Sequence, residues 1–361
     1  MYTVVQKPVS EVFDLNVPAE ITVGVREYDE SNRLTAFALA HVPKQEPYLF
    51  RPEMLRDILA WLQDDSPEPI LLVGPTGCGK SSFIKQIASR LNIPVWVSTG
   101  NEEMELFEMY GQFILNKEGS TVFMDGPATQ AAKFGGWHLV DEVDRLRPGV
   151  TVGLNGYLEG GSFTLSSKGG EVVQHQMGSR IIATANTNMA GDEVGSYNTA
   201  HIHDKSVLER FGMVIKCEYA DDDQERALIA DVYKSETDDA LKYWFEEEGM
   251  EVSLDDGKTA KGQYITRDDF INTMLKFRKA IRDQSVESGN VQGNAFERTF
   301  STRALRRWAK YTIMFSTLPQ RGISALHYAL ERALTNGCTP TSKIAMHQLL
   351  KSHFGVDHEL V

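Results

Sequence analysis

The sequence predicts an α/β protein in which a parallel sheet core is followed by a smaller α-helical domain. Apolar runs of strand length alternate with longer segments, at residues 70–73, 95–97, 137–140, 181–185 and 213–215. Apolar strands joined by crossovers are typical of a parallel sheet that helices cover on both faces. A glycine-rich loop follows the first of these strands, and after Glu218 the apolar residues recur with helical spacing. These three observations define the fold class.

The order of these elements divides the chain into three parts. Residues 1–47 combine short β-like runs with four prolines, which predicts an N-terminal extension with little helix that packs on the main body. The α/β domain is predicted to span residues 48–218, and the helical domain residues 219–361. Within the latter, the acidic and glycine-containing stretch at about 235–264 predicts a solvated insertion.

Composition and charge exclude several classes of protein. Among 361 residues, 42% are hydrophobic and 24% charged, and no apolar run reaches the ~20 residues that span a bilayer, so we expect a soluble protein without a membrane segment. The net charge of −13 disfavours nucleic acid as a partner. The three cysteines lie far apart, which predicts neither disulfides nor structural zinc. Residues 1–7 have no secretion or transit pattern, so we expect a cytoplasmic location.

The glycine-rich loop matches the phosphate-binding pattern G-x-x-x-x-G-K-[ST] at every fixed position. It consists of Gly74, Pro75, Thr76, Gly77, Cys78, Gly79, Lys80 and Ser81, with Ser82 next. The glycines let backbone N–H groups converge on phosphates, and the helix that follows directs its positive end towards them. Lys80 adds a cation, and the Ser81 hydroxyl is a ligand for Mg²⁺. The sequence therefore predicts binding of ATP with Mg²⁺. Cys78 fits as a small residue at a variable position, with a redox switch as the alternative.

Two strand ends compete to supply the carboxylate that holds the magnesium shell. Residues 121–125 end in Asp125, but Gly126 and a proline follow, so this strand supplies no second acid. Residues 137–142 end in the adjacent acids Asp141 and Glu142. Because hydrolysis needs both a metal-binding acid and a base that orients water, we favour Asp141 for the metal and Glu142 as the base, and Asp125 as a turn residue. His138 is expected to be a buried strand residue.

This ordered set of motifs resembles the AAA+ superfamily, in the branch that contains MoxR-type ATPases and the small, CobS-like ATPase subunit of cobaltochelatase. The resemblance runs from about residue 48 to 218 and, more weakly, to the C-terminus. Besides the phosphate loop, residues 123–127 ahead of Gly135 and Gly136, residues 139–144 and residues 182–187 carry it. It implies a P-loop NTPase fold of AAA+ type whose helical domain is a lid.

The resemblance also implies roles for three polar residues outside the loop. Asn186 matches the family's sensor between the acids and the γ-phosphate. Arg210, in the run 208–211, resembles the arginine finger that reaches the neighbouring subunit's site, and Arg303 resembles the second sensor on the lid. Either arginine could instead form an ordinary surface ion pair. The stretch 161–176 suits a β-hairpin, which in this family faces the centre of the ring.

The resemblance therefore implies a homo-oligomeric ring, expected to be hexameric, that hydrolyses ATP and remodels a protein partner, often one with a von Willebrand A domain. The alternative is the ATPase subunit of a cobalt or magnesium chelatase. A nucleic-acid motor is less favoured because of the net charge. A non-hydrolysing scaffold is disfavoured because Glu142 and Arg210 are both present. His201, His203 and Asp204 lie within four residues, but without a further distant ligand they do not predict a metal site.

Overall fold

A computed structural model of the chain describes residues 2–29, 33–64, 68–187, 189, 200–285 and 296–359. The strands are β1 (Tyr2–Pro8), β2 (Thr22–Tyr28), β3 (Ile70–Val73), β4 (Val95–Thr99), β5 (Gly111–Leu115), β6 (Thr121–Asp125), β7 (Trp137–Asp141), β8 (Ser162–Leu165), β9 (Glu171–Gln174), β10 (Arg180–Ala185), β11 (Met213–Lys216), β12 (Glu251–Ser253) and β13 (Thr259–Lys261).

The helices are α1 (Val9–Phe13), α2 (Arg33–Leu39), α3 (Pro52–Gln63), α4 (Lys80–Arg90), α5 (Leu106–Tyr110), α6 (Pro127–Phe134), α7 (Pro148–Gly153), α8 (Asn155–Leu158), α9 (Lys205–Leu208), α10 (Asp222–Tyr233), α11 (Asp238–Glu247), α12 (Arg267–Asp283), α13 (Thr302–Met314), α14 (Ala325–Ala333) and α15 (Pro340–Phe354). Of the helices in the described ranges, none is both long enough and apolar enough to cross a bilayer.

The chain forms two compact units. Within the described ranges, the first comprises residues from 2 to Gly74, from Gly79 to 189 and from 200 to Cys217, and the second comprises Pro75–Cys78 and the residues from Glu218 onward. The first unit contains the central sheet, and the second contains the long C-terminal helices. The four variable residues of the phosphate loop, Pro75–Cys78, are therefore grouped with the second unit.

A five-stranded sheet with the order β11–β3–β10–β7–β4 is the centre of the first unit. All of its neighbouring strands are parallel, and Ile182 of β10 lies opposite both Ile70 of β3 and Leu139 of β7. This confirms the predicted α/β class and each of the five predicted strands. Because β3, β10 and β7 are neighbours and point the same way, the residues that follow them meet at one edge of the sheet.

Among the described residues of the first unit, two antiparallel hairpins lie outside this sheet, besides the N-terminal pair β1–β2. The predicted hairpin is present as β8–β9, and β5–β6 forms a second one. Asp125 ends β6, so the alternative that placed it at the metal is wrong, as is its assignment to a turn. The physical reason is that β6 is partly exposed, with Met124 49% exposed, whereas central strands are buried on both faces.

Asp125 belongs instead to a group of four charges that joins the two hairpins. Lys133 of α6 contacts Asp125 at 2.7 Å and Glu171 of β9 at 3.2 Å. Lys168, between β8 and β9, contacts Glu171 at 2.7 Å and Asp125 at 3.9 Å. Each acid therefore faces both lysines, and we call this group the hairpin charge cluster.

The N-terminal extension contains more helix than expected. It forms the antiparallel pair β1–β2 together with helices α1 and α2. Val9 and Phe13 are both buried, and their i, i+4 spacing stabilises α1 directly after Pro8, which is tolerated at a helix start. Arg26 is 5% exposed and donates to the carbonyl of Gly178 at 2.9 Å. The extension therefore packs against the turn that precedes β10.

The second unit is built from α10 to α15 around an aromatic core. The expectation of a solvated insertion at 235–264 is wrong, because this stretch contains α11 and the paired strands β12 and β13. Leu241, Trp244 and Phe245 of α11 are buried in the core of this unit. Their i, i+3, i+4 spacing gives the helix an apolar face, while Glu246 and other acids remain exposed. The strand pattern also does not stop at Glu218, since β12 and β13 follow it.

Candidate active site

The phosphate loop adopts a conformation that requires its glycines. Gly77 and Gly79 have φ of +80° and +101°, a region that residues with a Cβ rarely enter. A Cβ on Gly74 would lie 1.9 Å from the carbonyl oxygen of Cys217. Helix α4 begins at Lys80, directly after the loop. Backbone glycines that lead into a helix start form the cradle that phosphates need, so the loop fits a nucleotide.

Lys80 links the loop to the end of β10. It is 7% exposed, and its Nζ donates to the carbonyl of Gly74 at 2.6 Å and to Oδ1 of Asn186 at 2.9 Å. Lys80 and Asn186 are 106 positions apart in the sequence, and the β3–β10 pairing brings them together. The predicted cation and the predicted sensor are therefore direct neighbours.

Ser81 and Asp141 are also in contact. The Ser81 hydroxyl donates to Oδ1 of Asp141 at 2.5 Å, and the Thr184 hydroxyl donates to the same oxygen at 2.5 Å. A hydroxyl beside one carboxylate is the oxygen set with which Mg²⁺ is held when phosphates and water supply its other ligands. These side chains fit a magnesium ion.

Glu142 follows Asp141 with an unusual backbone conformation. Its φ of 57° and ψ of 47° lie in the left-handed region, which is uncommon for a residue with a side chain. Its N–H donates to the hydroxyl of Thr184 at 3.0 Å, and its Oε2 accepts from Arg145 at 2.6 Å. Such conformations concentrate at functional sites because the surrounding structure must hold them.

Asp144 fixes the segment that carries Asn186. It is fully buried, and its Oδ2 accepts from the N–H groups of Asn186 and Thr187, both at 2.9 Å, and from the Thr187 hydroxyl at 3.0 Å. The sequence predictions missed both Asp144 and Thr184. Asp144 offered a signal as the third acid within the run 141–144, whereas Thr184 lay inside an apolar strand and offered none.

The two arginines lie in different surroundings. Arg210 donates to the carbonyl of Ser206 at 2.6 Å and contacts Glu159 at 3.3 Å. In the described part of the chain, no hydrogen bond or ion pair is seen between Arg210 and the acids that follow β7. Arg303 belongs to the second unit, where it is exposed on α13. In that unit a Cβ on Gly77 would lie 2.7 Å from Cβ of Ser301 and 3.9 Å from Cβ of Arg303.

The remaining loop residues differ in exposure. Pro75 is partly buried, Thr76 is exposed, Cys78 is buried and Ser82 is exposed in the first turn of α4. Within the second unit, the carbonyl of Thr76 accepts a hydrogen bond from the hydroxyl of Tyr219 at 3.1 Å.

Two histidines near the site are buried and hydrogen-bonded to other groups of the chain. Among the residues that the structure describes, no three His, Cys, Asp or Glu side chains are grouped as metal ligands. His203 donates from Nε2 to the carbonyl of Asp144 at 3.1 Å, and burial lowers its pKa. His138 is a buried strand residue, as predicted, with Ser98 and Tyr157 as partners at 2.8 Å. Burial lowers its pKa to about 3, so it is neutral at physiological pH.

Comparisons with known proteins agree with this geometry. Residues 69–201 match the family described as AAA domain (dynein-related subfamily). The aerobic cobaltochelatase subunit CobS of Sinorhizobium sp is 31% identical over 234 residues, which are 62% of this chain and 69% of that protein. This chain belongs to the MoxR/CobS-like AAA+ ATPases.

Two further relatives of this MoxR/CobS-like protein match it over a shorter length. Protein CbbQ of Hydrogenophilus thermoluteolus is 37% identical over 118 residues, which are 33% of this chain and 44% of CbbQ. Protein NorQ of Paracoccus denitrificans is 34% identical over 118 residues, which are 33% of this chain and 43% of NorQ. The chain therefore spans less than half the length of these two relatives.

Proposed function

We propose that this MoxR/CobS-like chain binds ATP with Mg²⁺ and hydrolyses it to ADP and phosphate. The observation that carries the proposal is the hydrogen-bonded group of Lys80, Asn186, Ser81 and Asp141 at one edge of the central sheet. These residues come from three different elements, and their types match the needs of phosphoryl transfer to water. Family membership supports the same activity.

Each residue has a part in this proposal. The backbone of the loop from Gly74 onward and the Lys80 ammonium bind the phosphates. Ser81 and Asp141 would hold Mg²⁺, which neutralises phosphate charge when bound. Glu142 accepts a hydrogen bond from the attacking water and orients it, and the amide of Asn186 assists. Arg303 acts from the helical unit as a second sensor of the γ-phosphate.

The activity is tested with two variants and one control. Lys80→Ala is expected to abolish nucleotide binding, measured by calorimetry. Glu142→Gln is expected to keep binding but to lower kcat by about 10²- to 10⁴-fold, the usual contribution of a general base, measured by phosphate release. Lys85→Ala, on the same helix, is the control and should resemble the wild type. Unchanged turnover in Glu142→Gln would remove Glu142 as the base, and no Mg-nucleotide uptake by the wild type would reject the activity.

For the assembly, we propose a homo-oligomeric ring, with six subunits as the expected number, in which Arg210 serves a neighbouring site. Support comes from the family alone, and the ion pair of Arg210 with Glu159 at 3.3 Å is the alternative role of this arginine. We propose a protein partner with a von Willebrand A domain as the substrate of remodelling. Glu142→Gln bound to ATP should retain such a purified partner, whereas Lys80→Ala should not. Equal retention by both variants would argue against ATP-dependent engagement.

A second candidate is the ATPase subunit of a cobalt or magnesium chelatase. The length of the alignment with CobS favours this candidate. That alignment covers 234 residues, whereas the alignments with CbbQ and NorQ cover 118 residues each. In that case, a large chelatase subunit together with a tetrapyrrole should stimulate ATP hydrolysis. Absence of stimulation, with basal turnover present, would leave the remodelling role in place.

A further inference from the structure

We propose that Thr184 is a positioning residue that holds both acids of the site with one hydroxyl group. The inference rests on the proposed ATP hydrolysis and adds a residue to it. Thr184 lies on β10 and is fully buried. Its Oγ1 is 2.5 Å from Oδ1 of Asp141 and 3.0 Å from the backbone nitrogen of Glu142.

The direction of each hydrogen bond follows from the chemistry of the groups. The backbone N–H of Glu142 can only donate, so the Thr184 oxygen accepts there. The single hydroxyl proton is then available for the carboxylate of Asp141, which accepts it. Thr184 is thus used as a donor and as an acceptor at once, and a side chain without a hydroxyl could satisfy neither partner.

The backbone of Glu142 needs such an anchor. Its left-handed conformation is sterically disfavoured and persists only where neighbouring groups impose it. Thr184 holds the N–H at the start of this turn. On the carbonyl side, a Cβ on Gly100 would lie 2.2 Å from the oxygen of Glu142, so the backbone there passes close to Gly100. The backbone of the proposed base therefore lies between Thr184 of β10 on one side and Gly100, which follows β4, on the other.

The carboxylate of Asp141 is fixed by two hydroxyls from different elements. Ser81 donates from α4 and Thr184 donates from β10, both to Oδ1. The Ser81 hydroxyl is itself a proposed ligand of Mg²⁺, whereas Thr184 is not needed for the ion. A group that hydrogen-bonds to a metal-binding carboxylate orients that ligand without touching the metal. Thr184 has this relation to Asp141.

The test replaces the hydroxyl while keeping the shape. Thr184→Val is expected to lower kcat by about 10- to 100-fold and to raise the half-saturating Mg²⁺ concentration by a similar factor, as for other groups that orient metal ligands. The second quantity is measured by calorimetry with a non-hydrolysable ATP analogue, so it does not depend on turnover. Thr184→Ser retains the hydroxyl and should restore both quantities to near the wild-type values.

A matched control is available in Thr129→Val. Thr129 is also fully buried, and its hydroxyl donates to the carbonyl of Tyr110 at 2.6 Å, away from the acids. This variant should keep kcat and Mg²⁺ dependence. Melting temperatures of all variants show whether each is folded. If Thr184→Val does not fold, Thr184→Ala, which relieves crowding and also lacks the hydroxyl, must show the same losses.

The outcomes separate this inference from the proposed function. If the wild type hydrolyses ATP and Thr184→Val matches Thr129→Val in kcat and Mg²⁺ dependence, the positioning role is wrong and the activity stands. If Thr184→Ser is as impaired as Thr184→Val, the side chain acts through packing and the inference is also wrong. If the wild type takes up no Mg-nucleotide, the proposed function itself fails.

Discussion

Gly74 occupies the tightest position in the phosphate loop. The nearest atom to a Cβ built there is the backbone carbonyl oxygen of Cys217, which follows β11, at 1.9 Å. Real Cβ contacts are not this short, and a backbone atom cannot rotate away as the end of a long side chain can. Any side chain at residue 74 must therefore displace the loop or the chain after β11.

We predict that Gly74→Ala lowers the melting temperature and abolishes nucleotide binding. The control is Gly149→Ala in α7, where a Cβ would meet no atom within 4 Å. Removing a glycine at an unstrained position stabilises by up to about 1 kcal/mol, so this variant should be at least as stable as the wild type. Thermal melting and calorimetry check both. Normal binding by Gly74→Ala would show that the loop's path is not fixed by this contact.

The motif residues could be predicted from sequence because their spacing is local. Lys80 and Ser81 belong to one motif, and Asp141 and Glu142 are adjacent at a strand end. Thr184 could not be found in this way, because its role depends on β10 lying beside β7, and no local pattern encodes which strands are neighbours. Asn186 was named only through family resemblance, and its contact with Lys80 depends on the same strand order.

At the scale of elements, a buried acid accepts hydrogen bonds from the first turn of α14. Glu248, just after α11, is 1% exposed, and its Oε1 accepts from the N–H groups of Ala325 and Leu326 in the first turn of α14. Helix starts favour acidic partners because their N–H groups lack acceptors within the helix. Burial nevertheless dominates, and it raises the pKa of Glu248 to about 7.

This raised pKa predicts a pH dependence of stability. Glu248 ionises more easily in the unfolded chain than in the folded one. Its ionisation therefore leaves the free energy of unfolding unchanged below about pH 4.5 and lowers it progressively until the pH passes the folded pKa near 7. The full cost is about 3 kcal/mol. Glu248→Gln keeps the acceptor oxygen and removes the ionisation, so the variant should gain stability relative to the wild type as the pH rises from 4.5 to 7.

Melting temperatures at several pH values test this expectation. Glu246→Gln, an exposed position on α11, is the control and should show no such trend. A constant difference between wild type and Glu248→Gln from pH 4.5 to 8 would contradict the raised pKa.

Among the elements, the central strands could be predicted from the sequence, but the order in which they pair could not. Runs such as 70–73 and 181–185 are apolar at nearly every position because both of their faces are buried. The order β11–β3–β10–β7–β4 has no counterpart in any single segment, since it arises from crossovers and packing. In α11 the acidic residues at both ends obscured three buried apolar side chains at helical spacing.

For the whole molecule, shared sites predict complementation between defective subunits. If Arg210 acts on a neighbouring subunit, then Lys80→Ala and Arg210→Ala proteins are each inactive alone. Mixed rings would contain some interfaces with an intact Lys80 on one side and an intact Arg210 on the other. We expect partial recovery of phosphate release on mixing, because an arginine finger contributes about 10³- to 10⁵-fold to the rate.

The control for mixing is Lys80→Ala with the double variant Lys80→Ala/Arg210→Ala, which has no intact phosphate loop and should stay inactive. Sedimentation of each protein shows whether subunits assemble. Assembly without recovery at any ratio would contradict a shared site, and so would full activity of Arg210→Ala alone.

The hairpin charge cluster has a mechanical consequence. Individual surface ion pairs contribute little, but here Asp125 of one hairpin and Glu171 of the other each face both Lys133 and Lys168. Neither hairpin can tilt alone without separating at least two of these contacts. We therefore expect the four strands to move together, because the ammonium groups of Lys133 and Lys168 link a displacement of one hairpin to the other.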